Sequence, residues 1–418
     1  MNAKSLNALL IALVICFGWS IAWSAQSPFP ANATFTTLTT TPLAIEGLTG
    51  DNSGNLYTVG RNAGNGVPCP VWKINIANPP PMAGEKNVVG NIPVSPSMTQ
   101  CAPLGLAFNK AGDLFVSDGD RILFLTPNAI TPPTASVYAE GVPGTNGLAF
   151  DHDGNLWTGD GGTGLGRGLG RVWKITGRGA DCATEHLCQE VFRIQPMNNG
   201  STFGGTFPLN PGVGRVNATM QPPQTPEAPN NPQNLVVNGL AFNAQGNLLV
   251  ADTARGALWL VTFDKSGNLV SKLGCDATFS DNTLCLENLF RADPRLEGVD
   301  GIALDISGDI WASVNERNAI VFTVFFGTSD SVDVFRNPVN GNSGLRNAGD
   351  LSVGNSHILE FPTSPFLSGT KFCTANGDNN RRDNSPSNAG EIGGAGAPLG
   401  KISCMDQPLG TSGLPLPR

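Results

Sequence analysis

A short unit recurs five times along the chain, and it limits the possible folds more than any other feature of the sequence. Each copy has an apolar run, a turn rich in Asp, Asn and Gly, and a second apolar run that contains an aromatic residue or Leu. The copies open at Glu46, Leu104, Asn146, Asn238 and Asp300. In every copy the turn glycine follows at the same step, at Gly54, Gly112, Gly154, Gly246 and Gly308. Self-similarity in a fixed register predicts a repeat architecture.

Each unit predicts a β-hairpin, because Gly and Asn supply the positive φ that tight turns need. Further strand-like runs follow some units, as at 257–261 and 319–323. The units start roughly 40–90 residues apart, and the shorter spacings suit four-stranded propeller blades while the longer ones imply insertions. A poorer sixth unit begins near Ser356 and continues to Cys373. We therefore predict an all-β fold, a six-bladed β-propeller, with five or seven blades as the alternatives.

The chain divides into three predicted parts. Residues 1–24 are typical of a secretory signal, with Lys4 before an apolar run and small residues after it; an uncleaved anchor is the alternative. The propeller is assigned to residues 25–375, with a Pro/Asn-rich insertion at 178–233 that could cover the binding face. Residues 376–418 form a polar tail. This organisation predicts a secreted or periplasmic protein with no membrane span after signal cleavage.

The Thr-rich stretch 34–41 lies between the signal and the first unit. It is predicted to supply an outer strand or to close the ring of blades.

Removal of the signal leaves eight cysteines, and an even number in an exported chain predicts disulfides. Eight cysteines allow about 105 pairings, which the sequence alone does not resolve. Cys182 with Cys188 and Cys275 with Cys285 are close enough to staple single loops, and the natural remaining pairs are Cys69–Cys101 and Cys373–Cys404. The last pair would tie part of the tail to the propeller. A zinc site is disfavoured, since the chain has no CxxC and only three histidines.

The formal net charge is −8, and no cluster of Lys and Arg marks a surface for nucleic acid. Nucleic-acid partners are therefore excluded. The expected partner is a small molecule, and we expect the protein to be a monomer.

The five opening residues should occupy equivalent places at the mouth of the central channel. Asn-Gly and Asp-Gly are ordinary turn dipeptides, so each opening residue taken alone could be a turn residue. Taken together they favour a site, because the repeat already has its own turn eight residues later and Glu-Gly is not a turn signal. Leu104 shows that the position can also be apolar.

Four of the five positions offer a hard oxygen ligand: Glu46, Asn146, Asn238 and Asp300. Two carboxylates and two amide carbonyls form an oxygen-only shell that suits Ca²⁺, with Mg²⁺, Mn²⁺ or Zn²⁺ as possible substitutes. The absence of His and Cys from the set disfavours zinc and copper as the preferred ion. The sequence therefore predicts a central metal site.

This order of motifs resembles the senescence-marker-protein, gluconolactonase and luciferin-regenerating family of six-bladed propellers. The resemblance covers roughly residues 43–325, through the units that open at Glu46, at Asn146, at Asn238 ("NGLAFNAQGNLLVADT") and at Asp300 ("DGIALDISGDIWAS"). It implies that these four residues bind a divalent metal in the channel. It also implies that Asp300 is both a metal ligand and the catalytic base.

The sequence departs from the family pattern in ways that bear on the substrate. Some members carry an Arg two residues before the third-unit Asn to hold a sugar lactone, whereas this chain has Gly144 there. The first unit has Glu46-Gly47-Leu48 where an aromatic motif is common. Metal binding is therefore a stronger implication of the resemblance than the identity of the substrate.

The resulting hypothesis is an exported, metal-dependent lactonase in which the metal polarises a lactone or ester carbonyl. A metal-bound carboxylate is a modest base, so the metal or Asp300 could activate the attacking water. The alternatives are a non-catalytic propeller that keeps the metal for structure or ligand capture, and an enzyme that hydrolyses phosphotriesters. No GxSxG nucleophile motif is present, and His152 lies in a turn on the far side of its strand.

Overall fold

The computed structural model shows a six-bladed β-propeller, as the repeat predicts. Each blade is an antiparallel sheet of four strands, and the second blade has one additional short strand. The structure describes residues 33–142, 144–160, 170–194, 237–253, 255–277, 279–296, 298–315, 318–325, 331–336, 358–377, 400–407 and 412–413. The predicted signal at 1–24 lies outside the described residues. Within them, no helix has the length and apolar character needed to cross a membrane.

The first strand in the chain is β1 (Thr36–Thr41), which belongs to the last blade. The first blade consists of β2 (Ile45–Gly50), β3 (Asn55–Gly60), β4 (Cys69–Asn75) and β5 (Val88–Ile92). The second consists of β6 (Pro103–Phe108), β7 (Leu114–Asp118), β8 (Arg121–Leu125) and β9 (Ser136–Glu140). The third consists of β10 (Leu148–Phe150), β11 (Leu156–Gly159), β12 (Arg171–Ile175) and β14 (Cys188–Arg193), while β13 (Ala180–Asp181) adds to the second blade beside β9.

The fourth blade consists of β15 (Leu240–Phe242), β16 (Leu248–Asp252), β17 (Ala257–Val261) and β18 (Leu289–Ala292). The fifth consists of β19 (Val299–Leu304), β20 (Ile310–Val314), β21 (Ala319–Thr323) and β22 (Ser331–Arg336). The sixth consists of β23 (Pro362–Ser368), β24 (Lys371–Asn376), β25 (Gly400–Asp406) and β1. Three short 3₁₀ helices, at Glu85–Asn87, Leu286–Asn288 and Pro294–Leu296, lie in connections among the described residues.

The ring is closed by the Thr-rich stretch, which forms β1 and pairs antiparallel with β25. The register runs from Thr36 opposite Cys404 to Thr41 opposite Gly400. The amino-terminal stretch thus provides the outer strand of a blade whose other strands come from the carboxyl-terminal part of the chain. Both predicted roles of this stretch are confirmed.

Two predicted boundaries differ from the structure. β25 lies in the segment assigned to a polar tail after residue 375, and it is the third strand of the sixth blade. β14 lies in the segment assigned to an insertion at 178–233, and it is the outer strand of the third blade. Neither strand belongs to the repeating hairpin, which marks only the first two strands of a blade, so the repeat pattern does not predict them. The remainder of the insertion, residues 195–236, lies outside the described residues.

The hairpin turns are fixed by the side chain that opens each of them. Asp151 accepts hydrogen bonds from the backbone N–H groups of Asp153 (3.0 Å) and Asn155 (2.8 Å), and from Nε1 of Trp157 (2.9 Å). Asp51 and Asp305 make the same pattern in the first and fifth blades. The turn Asp therefore joins the two strands of the hairpin to the aromatic residue in the second strand.

The glycine that follows each opening residue packs against the backbone of the next blade. A Cβ atom built on these glycines would come 2.1–2.6 Å from a carbonyl oxygen of the adjacent opening position, in the pairs Gly47–Leu104, Gly105–Asn146, Gly147–Asn238, Gly239–Asp300 and Gly301–Thr363. The ring is completed where Thr363 Oγ1 donates to the carbonyl oxygen of Glu46 (2.5 Å). These glycines are required by the approach of neighbouring blades, which brings the six innermost strands together around the channel.

We predict that Gly147→Ala lowers the free energy of unfolding by about 3 kcal/mol or more, since overpacking of a close contact costs about 1–3 kcal/mol even where side chains can adjust. Here the added Cβ would lie 2.2 Å from the backbone oxygen of Asn238, which moves only if a blade moves. Gly84→Ala is the matched control, because a Cβ at Gly84 meets no atom within 4 Å and its φ is −138°. Urea unfolding followed by tryptophan fluorescence measures both, and equal stabilities would contradict the close contact.

The structure contains the four disulfides expected from the sequence: Cys69–Cys101, Cys182–Cys188, Cys275–Cys285 and Cys373–Cys404. Cys373 and Cys404 lie directly opposite each other on β24 and β25, and Cys404 also faces Thr36 of β1. This bond therefore fixes the strand to which the amino-terminal strand attaches.

We predict that replacing both Cys373 and Cys404 by Ala costs about 4 kcal/mol of unfolding free energy from the loop-closure entropy of their separation of 31 residues. Replacing Cys275 and Cys285, whose separation is 10, should cost about 3 kcal/mol and leave the closing blade intact. Denaturant unfolding under non-reducing conditions measures the two losses. Hydrogen exchange should show β1 released only in the first variant, and equal protection of β1 in both would contradict this role.

Candidate functional site

The opening residues lie together at one mouth of the channel. Glu46, Asn146, Asn238 and Asp300 are all buried, with 8, 4, 1 and 4% of their surface exposed. Each directly precedes a ring glycine, so the contacts between blades that close the ring also bring these four residues to one place. The predicted candidate residues are therefore assembled by the fold, while ligation of a metal by them stays a prediction.

Three of the candidate residues have a polar partner 15 residues later in the chain. Arg61 donates from a terminal guanidinium nitrogen to Oε2 of Glu46. Nδ2 of Asn238 donates to Oγ1 of Thr253 (3.1 Å), and Nδ2 of Asn315 donates to Oδ2 of Asp300 (2.8 Å). The step is constant because the first two strands of a blade pair antiparallel. The residue that follows the second strand therefore lies beside the start of the first strand, as the pairing of Ile45 with Gly60 shows.

These partners were not predicted, although the constant step of 15 residues is present in the sequence. Arg61, Thr253 and Asn315 belong to three different residue types, so no shared motif marks them. They could have been identified only from the pairing of the first two strands within each repeat.

The charge on Asp300 is disfavoured in the site as it stands. Burial raises the pKa of Asp300 well above its ordinary value, and the nearby charge of Glu46 raises it further. Hydrogen bonds from Asn315 and Asn238, together with the positive charge of Arg61, act in the opposite direction and lower the pKa. Two buried carboxyl groups thus lie close enough to repel each other, and Arg61 offsets the repulsion only in part.

This arrangement fits a hard divalent cation. The donors are carboxylate and amide oxygens, which Ca²⁺ prefers, and a bound cation would remove the repulsion that raises the pKa of Asp300. Within the described ranges no cluster of three or more His, Cys, Asp and Glu side chains is found, so a site built on those residue types alone is not present there. The candidate set instead combines two carboxylates with two amides.

The remaining two positions of the ring carry neither a carboxylate nor an amide side chain. Leu104 is the opening residue of the second blade and is buried. Thr363 is the equivalent residue of the sixth blade, because both it and Asp300 lie in a bulge directly after the first paired residue of their strands. Its place could not be found from the repeat, since Ser364 and Pro365 replace the usual glycine and apolar residue.

Buried ion pairs surround the same mouth in four other blades. They lie at the end of the second strand or beside it: Arg121 with Asp118 (2.7 Å), Arg171 with Asp160, Arg255 with Asp252 (2.9 Å) and Lys401 with Glu360 (3.6 Å). Burial raises the pKa of Asp160 to about 6, and the hydrogen bond and charge of Arg171 act in the opposite direction. Each of these carboxylates therefore lies beside a cation of its own.

The wall of the channel behind the candidate residues is formed mainly by glycines and apolar side chains. A cavity of about 120 Å³ is lined by four of the ring glycines and by Leu106, Leu148, Leu240 and Ile302, among others. None of the described residues that line it is ionisable. Among the described residues, the ionisable side chains of the channel thus lie at its mouth. His152 is exposed in its hairpin turn, which agrees with its predicted place away from the site.

The fold is shared with several proteins of known structure. Luciferin-regenerating enzyme superposes with a TM-score of 0.51 at 13% identity, covering 92% of this chain and 98% of the other. Regucalcin, a calcium-binding protein from Agrobacterium tumefaciens, superposes with a TM-score of 0.50 at 14% identity, over 92% and 98% of the two chains. These likenesses confirm the predicted resemblance at the level of the fold.

The fold does not by itself select an activity. The PQQ-bound aldose sugar dehydrogenase of Streptomyces coelicolor superposes equally well, with a TM-score of 0.50 at 14% identity over 90% and 99% of the two chains. No protein-family model matches the sequence, and no curated protein matches it. Function must therefore be argued from the site.

Proposed function

We propose that this protein is a divalent-cation-dependent hydrolase that opens a lactone or a related ester, with Ca²⁺ as the preferred ion. The observation that carries the proposal is the closed ring that brings two repelling carboxyls and two amide side chains to one channel mouth. Glu46, Asn146, Asn238 and Asp300 would hold the cation. When bound, it would supply Lewis-acid polarisation of the substrate carbonyl.

Asp300 is proposed to move the proton in this reaction. Asn315 binds its Oδ2, which fixes the carboxyl at the mouth. Water adds to the carbonyl carbon while a carboxylate oxygen of Asp300 takes its proton. The proton then passes to the ring oxygen as the carbon–oxygen bond of the lactone breaks, and the product is a hydroxy acid.

The described wall of the channel behind the mouth carries no ionisable side chain, and Asp300 itself is buried. Nearby charges then act on the reacting atoms through a medium that screens them less than bulk water does. The reaction is therefore placed where the polar ring and the apolar channel meet.

A non-catalytic binding propeller is the second candidate, and the Arg61–Glu46 ion pair favours it. This pair compensates one of the two carboxylates from within the protein. A protein that uses the ring only for structure or ligand capture would need no base at Asp300.

We also propose that the chain acts outside the cytoplasm on a small molecule, as a monomer. Four disulfides support an oxidising compartment, in agreement with the predicted signal.

The test is turnover with a defined metal. The chain from residue 25, with disulfides formed, is stripped with chelator, and Ca²⁺, Mg²⁺, Mn²⁺ or Zn²⁺ is added back. Hydrolysis of a panel of sugar and aliphatic lactones and a phosphotriester is then measured by proton release. We expect lactone turnover that returns with Ca²⁺. Cation binding without turnover of any substrate would favour the binding propeller, and turnover of the phosphotriester alone would reassign the reaction.

A further inference from the structure

Among the described residues, Arg61 is the cation that forms an ion pair with a candidate metal ligand, Glu46. The backbone N–H of Arg61 donates to the carbonyl oxygen of Ala44 (2.8 Å), and that of Asn62 donates to Cys101 (3.0 Å), which is fixed by its disulfide. Asn62 adopts a φ of +54°, so the chain turns sharply directly after Arg61. The backbone of Arg61 is therefore held beside the mouth by contacts that do not depend on Glu46.

The hydrogen bonding of the guanidinium is incomplete. A terminal nitrogen binds Glu46, but the buried Nε has no hydrogen-bond partner among the described residues. A buried donor without a partner is unfavourable, and a guanidinium forms its strongest contacts when two N–H groups bind one carboxylate. An incoming carboxylate would give Arg61 the second contact that Glu46 does not supply.

The charges at the mouth point to the same ligand. The buried acids in four other blades each have their own cation, so these pairs add no net charge. Among the described residues, Glu46, Asp300 and Arg61 then decide the net charge of the mouth. With a divalent cation bound, the site would carry one positive charge in excess, which favours an anionic ligand.

We propose that Arg61 makes the site selective for a lactone or ester that carries a carboxylate. Glu46 turns from Arg61 to the cation, and Arg61 turns to the carboxylate of the substrate. This exchange leaves each charged group with a partner. The inference rests on the proposed function, which it deepens by naming the class of substrate.

The exchange makes a specific prediction about substrate choice. The test compares γ-butyrolactone bearing a carboxylate at the β carbon with the same lactone bearing a hydroxymethyl group there. In the Ca²⁺-loaded wild-type protein, kcat/KM should be at least about tenfold higher for the anionic lactone, as charge-assisted hydrogen bonds predict. The ratio should fall to about one in Arg61→Gln through KM, and Arg61→Lys should keep part of it because it keeps the charge.

A binding measurement separates this role from a positioning role of Arg61. Calorimetry with tetrahydrofuran β-carboxylate, a non-reactive analogue, should show binding that is about tenfold tighter in the presence of Ca²⁺. Arg61→Gln should lose this binding, while its affinity for Ca²⁺ alone is equal to that of the wild type or tighter, because a competing cation has been removed.

Three results would overturn the inference. They are equal turnover of the two lactones by the wild type, anion binding that does not depend on Arg61, and a tenfold loss of Ca²⁺ affinity in Arg61→Gln. The last result would show that Arg61 only orients Glu46. Each of them leaves the hydrolase proposal intact, whereas a wild-type chain that binds Ca²⁺ and hydrolyses neither lactone nor any other ester would remove the proposed function itself.

Discussion

Asp300→Asn is expected to reduce kcat/KM for lactone hydrolysis by at least about a thousandfold, since general base catalysis alone contributes about 10²–10⁴. The change removes both the proton acceptor and one of the two carboxylate ligands. It keeps the shape of the side chain and one oxygen for the hydrogen bond from Asn315. Initial rates with saturating Ca²⁺ measure the effect.

The fold should tolerate this substitution. The charge on Asp300 is already disfavoured by burial and by Glu46, so a neutral amide should leave the stability of the metal-free protein equal or higher. Asp305→Asn is the matched control, because Asp305 directly follows the far end of the same strand. It weakens the acceptor for Nε1 of Trp311 (3.1 Å) and should cost about 1–3 kcal/mol of stability while turnover remains. Turnover of Asp300→Asn within tenfold of the wild type would exclude a catalytic role.

Ca²⁺ is expected to raise the free energy of unfolding by about 2.7 kcal/mol when its concentration is a hundredfold above Kd. The physical reason lies in the mouth, where the carboxyls of Glu46 and Asp300 repel each other without a cation. A cation that binds only the folded ring relieves this repulsion. Thermal unfolding of chelator-treated protein, with and without added Ca²⁺, measures the gain.

The variants Glu46→Gln and Asn238→Leu should lose most of this stabilisation, because each removes one oxygen ligand. Asp264→Asn is the control, since Asp264 lies in an exposed turn where it binds Asn268 (3.0 Å). It should respond to Ca²⁺ like the wild type. An undiminished response in Glu46→Gln would show that the ion binds elsewhere.

The sequence predicted most of the fold because the repeat has a fixed register. A constant step from the opening residue to the turn glycine identified the first two strands of five blades, and the Thr-rich stretch was assigned to an outer or closing strand. The sixth blade was harder, since Ser364 and Pro365 break the pattern. β25 could not be recognised at all, because residues 377–399 separate it from β24 and pairing across such a distance leaves no local signal.

The sequence predicted the individual residues of the candidate site, but it did not predict the side chains that surround them. The repeat identified Glu46, Asn146, Asn238 and Asp300 as equivalent, which the ring of blades confirms. It did not identify Arg61, whose contact with Glu46 depends on how the second strand returns to the first. The glycines that follow the opening residues were interpreted as turn residues or neighbours of ligands. In the structure they are required because adjacent blades approach too closely for a side chain at these positions.

The most direct test of the central claim is the binding of Ca²⁺ itself. Isothermal titration calorimetry of chelator-treated protein should give one ion per chain in the wild type. The double variant Glu46→Gln, Asp300→Asn should bind none, although circular dichroism shows it folded. A folded wild-type chain that binds no divalent cation, or a double variant that binds Ca²⁺ equally well, would contradict the claim that this ring of oxygen ligands is a metal site.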